Sequence, residues 1–321
     1  MYDLVVLGGG AGGLNVASAA ARIGAKVALI EKHKLGGECT HTACVPSKAL
    51  IHAARLAHLA RTAGAFGIRV GDVEVDFAAV MERVQDVVAS FAGSDSGDGL
   101  RAKGVDVYRG SPAFEAYDSV VIDGRECLNA HRFVIATGSR PAIPGIPGLA
   151  ESGYLDNTNV WNLRERPESL AILGGGPVGL EFGQAFARLG TKVTIIAESE
   201  FILPREDPEV SRRVQTLLSA EGIAFHNGMT VTGVDLKNGK TVVKFRNAKG
   251  EAFEATRTHL FVATGRLANI EGLNLDAVGI HATAESGIEV DEMLHTSSQH
   301  ILALGDVIGH HQWTHAAERE A

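Results

Sequence analysis

The chain has 321 residues, of which 45% are hydrophobic and 21% are charged, and its formal net charge is −8. A globular protein of this length can form two domains, and an acidic chain with no block of basic residues is not suited to nucleic acid or to an anionic membrane surface. No apolar stretch approaches the length of a membrane span, and the apolar run after Met1 is too short for a signal peptide. We therefore expect a cytoplasmic protein.

The first thirty residues predict a strand, a turn, a helix and a second strand. The turn carries Gly8, Gly10 and Gly13 in the pattern Gly-x-Gly-x-x-Gly, which permits backbone N–H groups to approach a pyrophosphate at the helix N-terminus. The second strand ends at Glu31, where an acidic residue meets a ribose diol in such units. This segment predicts a dinucleotide site.

Two cysteines, Cys39 and Cys44, follow this unit directly. Alone, such a pair is a structural disulfide, half of a metal site or a coincidence. After a dinucleotide-binding unit, it indicates a dithiol that exchanges electrons with a bound cofactor. A zinc site needs about four ligands, and the chain has no second cysteine pair to complete one. We therefore predict no metal site. We expect His41 to be incidental and the isolated Cys127 to be a small packed side chain.

The same pattern recurs in the second half of the chain. A predicted strand leads into Gly174, Gly176 and Gly179, a helix follows over residues 180–189, and the next strand ends just before Glu198. Two intact units predict two dinucleotide sites. Enzymes with two dinucleotides usually pass a hydride between nicotinamide and flavin.

Two Ala-Thr-Gly segments and a Gly-Asp pair each follow an apolar strand. Such segments suit chain crossings between two nucleotide domains, and the proline-rich residues 141–147 are a plausible linker. The acid of the Gly-Asp pair is suited to bonding a cofactor hydroxyl. The residues concerned are Thr137, Gly138, Gly265, Arg266 and Asp306.

With these motifs, the chain resembles the pyridine-nucleotide disulfide oxidoreductases, the group of dihydrolipoyl dehydrogenase, glutathione reductase and mercuric reductase, from residue 2 to its end. The resemblance implies an α/β fold with two Rossmann-like domains of the glutathione-reductase type, each with three layers around a parallel central sheet. We expect a discontinuous FAD-binding domain, residues 1–145 and 271–321, and an NAD(P)-binding domain, residues 146–270. Residues 104–108 and 203–208 look most like the mercuric-reductase branch.

The resemblance also implies roles for single residues. Cys39 would be the interchange thiol that meets substrate, and Cys44 would lie beside the isoalloxazine in a charge-transfer contact. Lys48 would lie near the flavin N5 as a buried cation paired with Glu181. Further cofactor contacts are implied for Gly37 and Ala113, in addition to Thr137, Arg266 and the glycines and acids named above.

The sequence departs from the family around the cysteines. Glu38 replaces the common threonine, and His41-Thr-Ala43 replaces the usual Asn-Val-Gly. These changes bear on redox potential and substrate access.

The acid at the end of the second unit predicts which nicotinamide cofactor is used. A carboxylate at Glu198 repels a 2′-phosphate and accepts bonds from a free ribose diol, so we expect NADH to be preferred over NADPH. Two observations favour NADPH instead. Mercuric-reductase relatives mostly use it, and Arg205 is close in sequence.

Family members continue into an interface domain of ~100 residues. That domain forms a homodimer and supplies a His–Glu acid/base pair. We therefore expect a truncated form that holds FAD, is impaired in disulfide turnover, lacks the dimerisation domain and is compatible with a monomer. His315 and Glu318 are interpreted as residues at the start of a helix near the flavin.

The predicted function is FAD-dependent, nicotinamide-linked oxidation or reduction of a small-molecule or protein dithiol or disulfide, or of a metal ion. The substrate stays open among mercuric ion, lipoamide and other disulfides. One alternative is a flavin-binding module for electron transfer or sensing without a thiol substrate. Another, a flavin monooxygenase or oxidase, leaves the cysteine pair unexplained.

Overall fold

The computed structural model describes residues 1–93 and 96–321. Within these residues, the helices are α1 (Ala11–Arg22), α2 (Gly37–His41), α3 (Cys44–Thr62), α4 (Phe77–Ala92), α5 (Gly97–Ala102), α6 (Pro177–Arg188), α7 (Pro208–Ala220) and α8 (Thr314–Glu320). None of the helices in the described ranges is long and apolar enough to cross a membrane.

The strands make up several sheets. They are β1 (Tyr2–Leu7), β2 (Val27–Glu31), β3 (Val105–Arg109), β4 (Pro112–Ala116), β5 (Ser119–Ile122), β6 (Glu126–Ile135), β7 (Ser139–Pro141), β8 (Ser169–Leu173), β9 (Lys192–Ile196), β10 (Ala224–His226), β11 (Met229–Lys237), β12 (Lys240–Asn247), β13 (Ala252–Arg257), β14 (His259–Val262), β15 (Arg266–Ala268), β16 (Ala282–Thr283), β17 (Gly287–Ile288) and β18 (Ile301–Ala303).

The chain divides into two compact units. Unit 1 comprises residues 1–41, 88–140 and 266–321, and unit 2 comprises residues 42–87 and 141–265. The predicted domains differ mainly in residues 42–87, which were expected in the first domain. These residues group with unit 2 because α3 packs on α6, where Leu50 and Ala54 are buried in the same cluster as Phe186. The assignment of FAD and NAD(P) to particular domains stays a prediction.

Unit 1 is built on a seven-stranded sheet in the order β3-β2-β1-β6-β5-β4, with β18 also paired to β6. Strands β1, β2, β3, β6 and β18 run parallel, whereas β4 and β5 are antiparallel additions to an expected parallel sheet. Alternate side chains of β1 face opposite sides. Val5 and Leu7 join one core cluster and Val6 joins another, as the two-residue period of a strand requires.

Unit 2 has a four-stranded parallel sheet in the order β10-β9-β8-β14. On one face, Ile172 packs in a cluster with helical residues such as Phe182 and Phe186. On the other face, Leu173 packs with Val243 and other residues of the antiparallel sheet β11-β12-β13. Unit 2 is therefore layered as helix, parallel sheet and antiparallel sheet, and both units contain a Rossmann-like core.

Candidate active site

Four parallel strands of unit 1 end at one edge of its sheet. Leu7 pairs with Ile30 and Ile135, and Ile135 pairs with Ala303. The predicted residues Gly8, Thr137 and Asp306 follow three of these strand ends, and the predicted Glu31 is the last residue of β2. Ligands of open α/β sheets bind outside the carboxyl ends of the strands, so the topology brings these residues to the expected edge.

The glycine turn of unit 1 is tightly packed on one side and open on the other. Gly8 has φ +107°, and a Cβ there would lie 2.3 Å from the Ala136 carbonyl oxygen. A Cβ on Gly13 would lie 2.0 Å from the Gly8 carbonyl oxygen, whereas one on Gly10 would meet nothing within 4 Å. Gly10 precedes α1, whose first N–H groups have no acceptor within the helix. This open helix N-terminus fits a pyrophosphate.

Glu31 holds the same turn through its carboxylate. One oxygen accepts from the Gly9 N–H at 2.7 Å, and the other accepts from the His33 N–H at 2.6 Å. Each carboxylate oxygen has a further lone pair, so Glu31 can still accept from a ribose hydroxyl. The sequence pattern identified the acid, but not its structural role in the turn.

Unit 2 repeats this geometry. Gly174 has φ +114°, and its Cβ would lie 2.1 Å from the Ala263 carbonyl oxygen; that of Gly179 would lie 2.2 Å from the Gly174 carbonyl oxygen. Gly176 again faces open space, immediately before α6. Glu198 is exposed beyond the end of β9. The second turn therefore has the shape of a second dinucleotide site.

The first Ala-Thr-Gly segment is held by a residue that the sequence analysis missed, Asn269. The Thr137 hydroxyl donates to the Asn269 carbonyl oxygen at 2.7 Å, and the Asn269 side chain donates to the Thr137 carbonyl oxygen at 3.0 Å. The Asn269 N–H also donates to the Gly138 carbonyl oxygen at 2.9 Å. A hydrogen bond between residues more than a hundred positions apart leaves no signal in the local sequence.

Ala113, which was predicted to contact the cofactor, lies half-buried in β4, opposite Val121.

Arg266 lies in unit 1, where it joins two carboxylates. Its guanidinium pairs with Glu38 and donates through Nε to the Ser139 hydroxyl at 2.7 Å. Ser139 in turn donates to Asp306 at 2.6 Å, and the Arg266 Nε lies 3.5 Å from the same carboxylate. The Arg266 side chain is only 19% exposed. Its neighbour in sequence, Gly265, belongs to unit 2 and accepts from the Ala142 N–H at 2.9 Å.

Cys39 lies on the short helix α2, which packs against the first glycine turn. Gly37 opens α2 with φ +61°, and a Cβ there would lie 2.8 Å from the Gly10 Cα. Cys39 is half-buried and lines a pocket of about 470 Å³ in unit 1. The ring of His41 bonds through Nε2 to the Leu35 carbonyl oxygen at 2.8 Å, which gives it a local structural role.

Cys44 begins the nineteen-residue helix α3. Its carbonyl oxygen accepts from the Ser47 hydroxyl at 3.2 Å, and the preceding loop is anchored where the Trp161 indole donates to the Thr42 carbonyl oxygen at 3.1 Å. The partial positive charge of a helix N-terminus favours a thiolate. The sequence motifs did not indicate that the two cysteines lie on separate helices, α2 and α3.

The predicted Lys48–Glu181 pair is present in unit 2, with Nζ–O distances of 2.7 and 2.9 Å. The two side chains are 61% and 40% exposed, however, so the expected buried cation is exposed in this structure. An exposed ion pair contributes little to stability. The proposed role of the pair near a flavin stays a prediction.

Two further expectations concern cysteine and metal chemistry. Cys127 was expected to be packed, and this is wrong. It is exposed on β6, with its sulfur 3.9 Å from the Glu115 carboxylate, because that end of the strand faces solvent. Among the residues that the structure describes, no group of three His, Cys, Asp or Glu side chains could hold a metal ion.

His315 and Glu318 were interpreted as residues at the start of a helix near the flavin. They lie on α8, which begins at Thr314. Their position near a flavin stays a prediction.

Comparison with known proteins agrees with this geometry. A dihydrolipoyl dehydrogenase of Bacillus subtilis is 37% identical over 99% of this chain and 70% of its own length. A mercuric reductase of Lysinibacillus sphaericus is 34% identical, and the chain spans 58% of it. The HOCl-induced flavoprotein disulfide reductase RclA of Escherichia coli matches with a TM-score of 0.87 at 29% identity, over 99% of this chain and 69% of that one.

The family model described as pyridine nucleotide-disulphide oxidoreductase matches residues 2–321. This match and the relatives above cover almost the whole chain, including both glycine turns and the cysteine pair. The chain belongs to the pyridine nucleotide-disulphide oxidoreductase family.

Proposed function

We propose that this chain is an FAD-dependent, nicotinamide-linked oxidoreductase whose electrons pass through Cys39 and Cys44. One observation carries the proposal. The cysteine helix α2 packs against the glycine turn of unit 1 so closely that Gly37 leaves no room for a side chain beside Gly10. A thiol is thereby fixed next to the turn that is shaped for a dinucleotide. Dithiol or disulfide compounds and metal ions are the substrate classes suggested by the names of the relatives.

The residues of unit 1 fit FAD. The open N-terminus of α1 would hold its pyrophosphate, and Glu31 would accept from the adenosine ribose. Asp306 and the Thr137–Gly138 segment, at the neighbouring strand ends, would hold the flavin side, and Ala113 the adenine side. When bound, the flavin supplies a carrier that accepts two electrons from a nicotinamide and delivers them to a disulfide.

The two cysteines would divide the thiol chemistry. The Cys39 thiolate attacks a substrate disulfide, forms a mixed disulfide and releases one thiolate. The Cys44 thiolate then attacks the Cys39 sulfur, which releases the second thiolate and closes the protein disulfide. Two electrons have then passed from the protein dithiol to the substrate. The position of Cys44 at the start of α3 favours its thiolate form.

We further propose that unit 2 binds NADH in preference to NADPH. Glu198 is exposed just beyond β9, and it forms no hydrogen bond or ion pair with any residue that the structure describes. A free carboxylate there suits a ribose diol and repels a 2′-phosphate. A kcat/KM for flavin reduction that is higher with NADPH than with NADH would refute this preference.

Spectroscopy of the flavin-loaded chain tests the proposal. In a Cys39→Ser variant, the remaining Cys44 thiolate should give a long-wavelength charge-transfer absorbance with bound flavin, and in a Cys44→Ser variant this band should be absent. A Cys127→Ser variant is the matched control and should behave as the parent. If neither cysteine affects the flavin spectrum or NADH-dependent disulfide reduction, the chain is instead a flavin-binding electron-transfer module.

A further inference from the structure

The segment that leads into Cys44 is held by a tryptophan far away in the sequence. Trp161 is buried in the short 3-10 turn Val160–Asn162, and its indole N–H is shared between two carbonyl oxygens, that of Asn157 at 2.7 Å and that of Thr42 at 3.1 Å. The side-chain amide of Asn157 donates to the same Thr42 oxygen at 3.5 Å. A carbonyl oxygen has two lone pairs and can accept both donors. All of these residues belong to unit 2.

The surroundings of the indole fix the direction of its N–H. The Trp161 ring packs on Phe182, with 5.5 Å between the ring centroids, and Leu50 of α3 lies in the same buried cluster. The turn before the tryptophan is closed by Asp156, whose carboxylate accepts from the Thr158 N–H at 2.7 Å. The core of unit 2 therefore determines where the carbonyl that binds the indole lies.

Helix α3 benefits from this anchor because its N-cap residue does not supply one. That residue, Ala43, forms no side-chain hydrogen bond with the first turn. Alanine is among the poorest N-cap residues, whereas Ser, Thr, Asn or Asp would bind an N–H group that has no acceptor within the helix. The Ser47 N–H donates to the Ala43 carbonyl oxygen at 3.0 Å and closes the first turn. The Thr42 carbonyl comes directly before this turn, so the bond from Trp161 restrains the point at which the helix begins.

The start of the helix in turn affects the chemistry of Cys44. As the first residue of α3, Cys44 lies where the helix N-terminus carries a partial positive charge, which favours a thiolate. This effect is confined to the end of the helix, within about one turn. If the first turn frays, Cys44 loses the charge that favours its thiolate.

We propose, on the basis of the function proposed above, that Trp161 is a positioning residue for the thiol that faces the flavin. Its indole N–H holds the Thr42 carbonyl, and that carbonyl holds the first turn of α3. The intact turn keeps Cys44 in the thiolate form that the charge-transfer contact with the flavin requires. Asn157 assists through its longer bond.

Alkylation of a single cysteine tests this role independently of turnover. The chain has three cysteines, so a Cys39→Ser/Cys127→Ser background leaves Cys44 alone. In the flavin-loaded chain, the rate of its reaction with iodoacetamide is measured from about pH 5 to pH 10. The midpoint of the curve reports thiolate formation, and the plateau reports access to the sulfur. The test variant, Trp161→Phe, removes the N–H and keeps an aromatic ring. The matched control, Phe186→Leu, loosens the same buried cluster without removing the hydrogen bond.

We expect the midpoint of the Trp161→Phe variant to lie about 0.5 pH unit above that of the parent, since a helix N-terminus contributes an effect of this size. The long-wavelength absorbance of Cys44 with bound flavin should shift to higher pH by the same amount. Hydrogen exchange over residues 42–50 should quicken several-fold. Asn157→Ala, which removes only the longer bond, should raise the midpoint by about 0.2 unit. Phe186→Leu should lower Tm but leave the midpoint within about 0.1 unit of the parent.

Failure of this proposal is distinguishable from failure of the proposed function. If Phe186→Leu shifts the midpoint as much as Trp161→Phe does, or if neither shifts it, the indole does not position the thiol, and the proposed function stands. If the Trp161 variant does not fold, Asn157→Ala decides by the same midpoint, and an unchanged value overturns the proposal. If the parent shows no flavin absorbance that depends on Cys44, the proposed function itself is refuted.

Discussion

The Arg266 network gives the most quantitative prediction for unit 1. Arg266→Gln leaves the carboxylates of Glu38 and Asp306 without their shared cation. The side chains of Arg266, Glu38 and Asp306 are only 19%, 30% and 21% exposed, respectively. Removing one partner of a fully buried ion pair costs about 3–5 kcal/mol. Because part of each side chain reaches solvent, we expect the free energy of unfolding to fall by about 2–3 kcal/mol.

Urea-induced unfolding at a fixed, saturating FAD concentration measures this loss. The matched control is Arg101→Gln, which removes an exposed pair with Asp98 (54% and 96% exposed) and should cost less than about 0.5 kcal/mol. A double-mutant cycle of Glu38→Gln and Arg266→Gln should show a coupling energy of about 1–2 kcal/mol. If the Arg266 variant is as stable as the Arg101 control, or if the cycle shows no coupling energy, Arg266 does not stabilise helix α2.

Three further predictions concern the glycine turn, two histidines and the exposed lysine. Gly13→Ala should destabilise the chain strongly because its Cβ overlaps a carbonyl oxygen, whereas Gly10→Ala should keep stability in thermal unfolding yet weaken FAD affinity in a fluorescence titration. Burial holds the pKa of His226 and that of His259 below the ordinary 6.5, so the unfolded state binds more protons below that pH. Tm should therefore fall as pH is lowered from 7.5 through 6.5, and a His226→Gln/His259→Gln variant should show a flatter profile. Lys48→Met should change the free energy of unfolding by less than about 1 kcal/mol, because its ion pair is exposed; a larger loss in urea unfolding contradicts that assignment.

Periodicity and spacing predicted the parts of the fold that depend on local chemistry. Both glycine turns require the residue types present, since a Cβ at Gly8 or Gly174 would overlap the carbonyl of the neighbouring strand end. Parallel strands with those turns at their carboxyl ends also predict at which edge of the sheet a dinucleotide would bind. The Lys48–Glu181 pair was also anticipated, through the family resemblance rather than from residue spacing.

The remainder depends on contacts between residues far apart in the sequence. Nothing near Glu38 indicates that Arg266 pairs with it, or that Asn269 holds the Thr137–Gly138 segment. The grouping of residues 42–87 with unit 2 likewise results from the packing of α3 on α6, which motif order does not reveal. The exposure of Cys127 depends on which end of β6 faces solvent, and an isolated cysteine carries no signal for this.

The most direct measurement counts cysteine thiols after nicotinamide reduction. The oxidised, flavin-loaded chain is incubated anaerobically with NADH, alkylated and analysed by peptide mass spectrometry. We predict that Cys39 and Cys44 are alkylated only after NADH is added, whereas the exposed Cys127 is alkylated with or without it. If NADH reduces the flavin while the labelling of Cys39 and Cys44 stays unchanged, electrons do not pass through the cysteine pair, and the central claim is wrong.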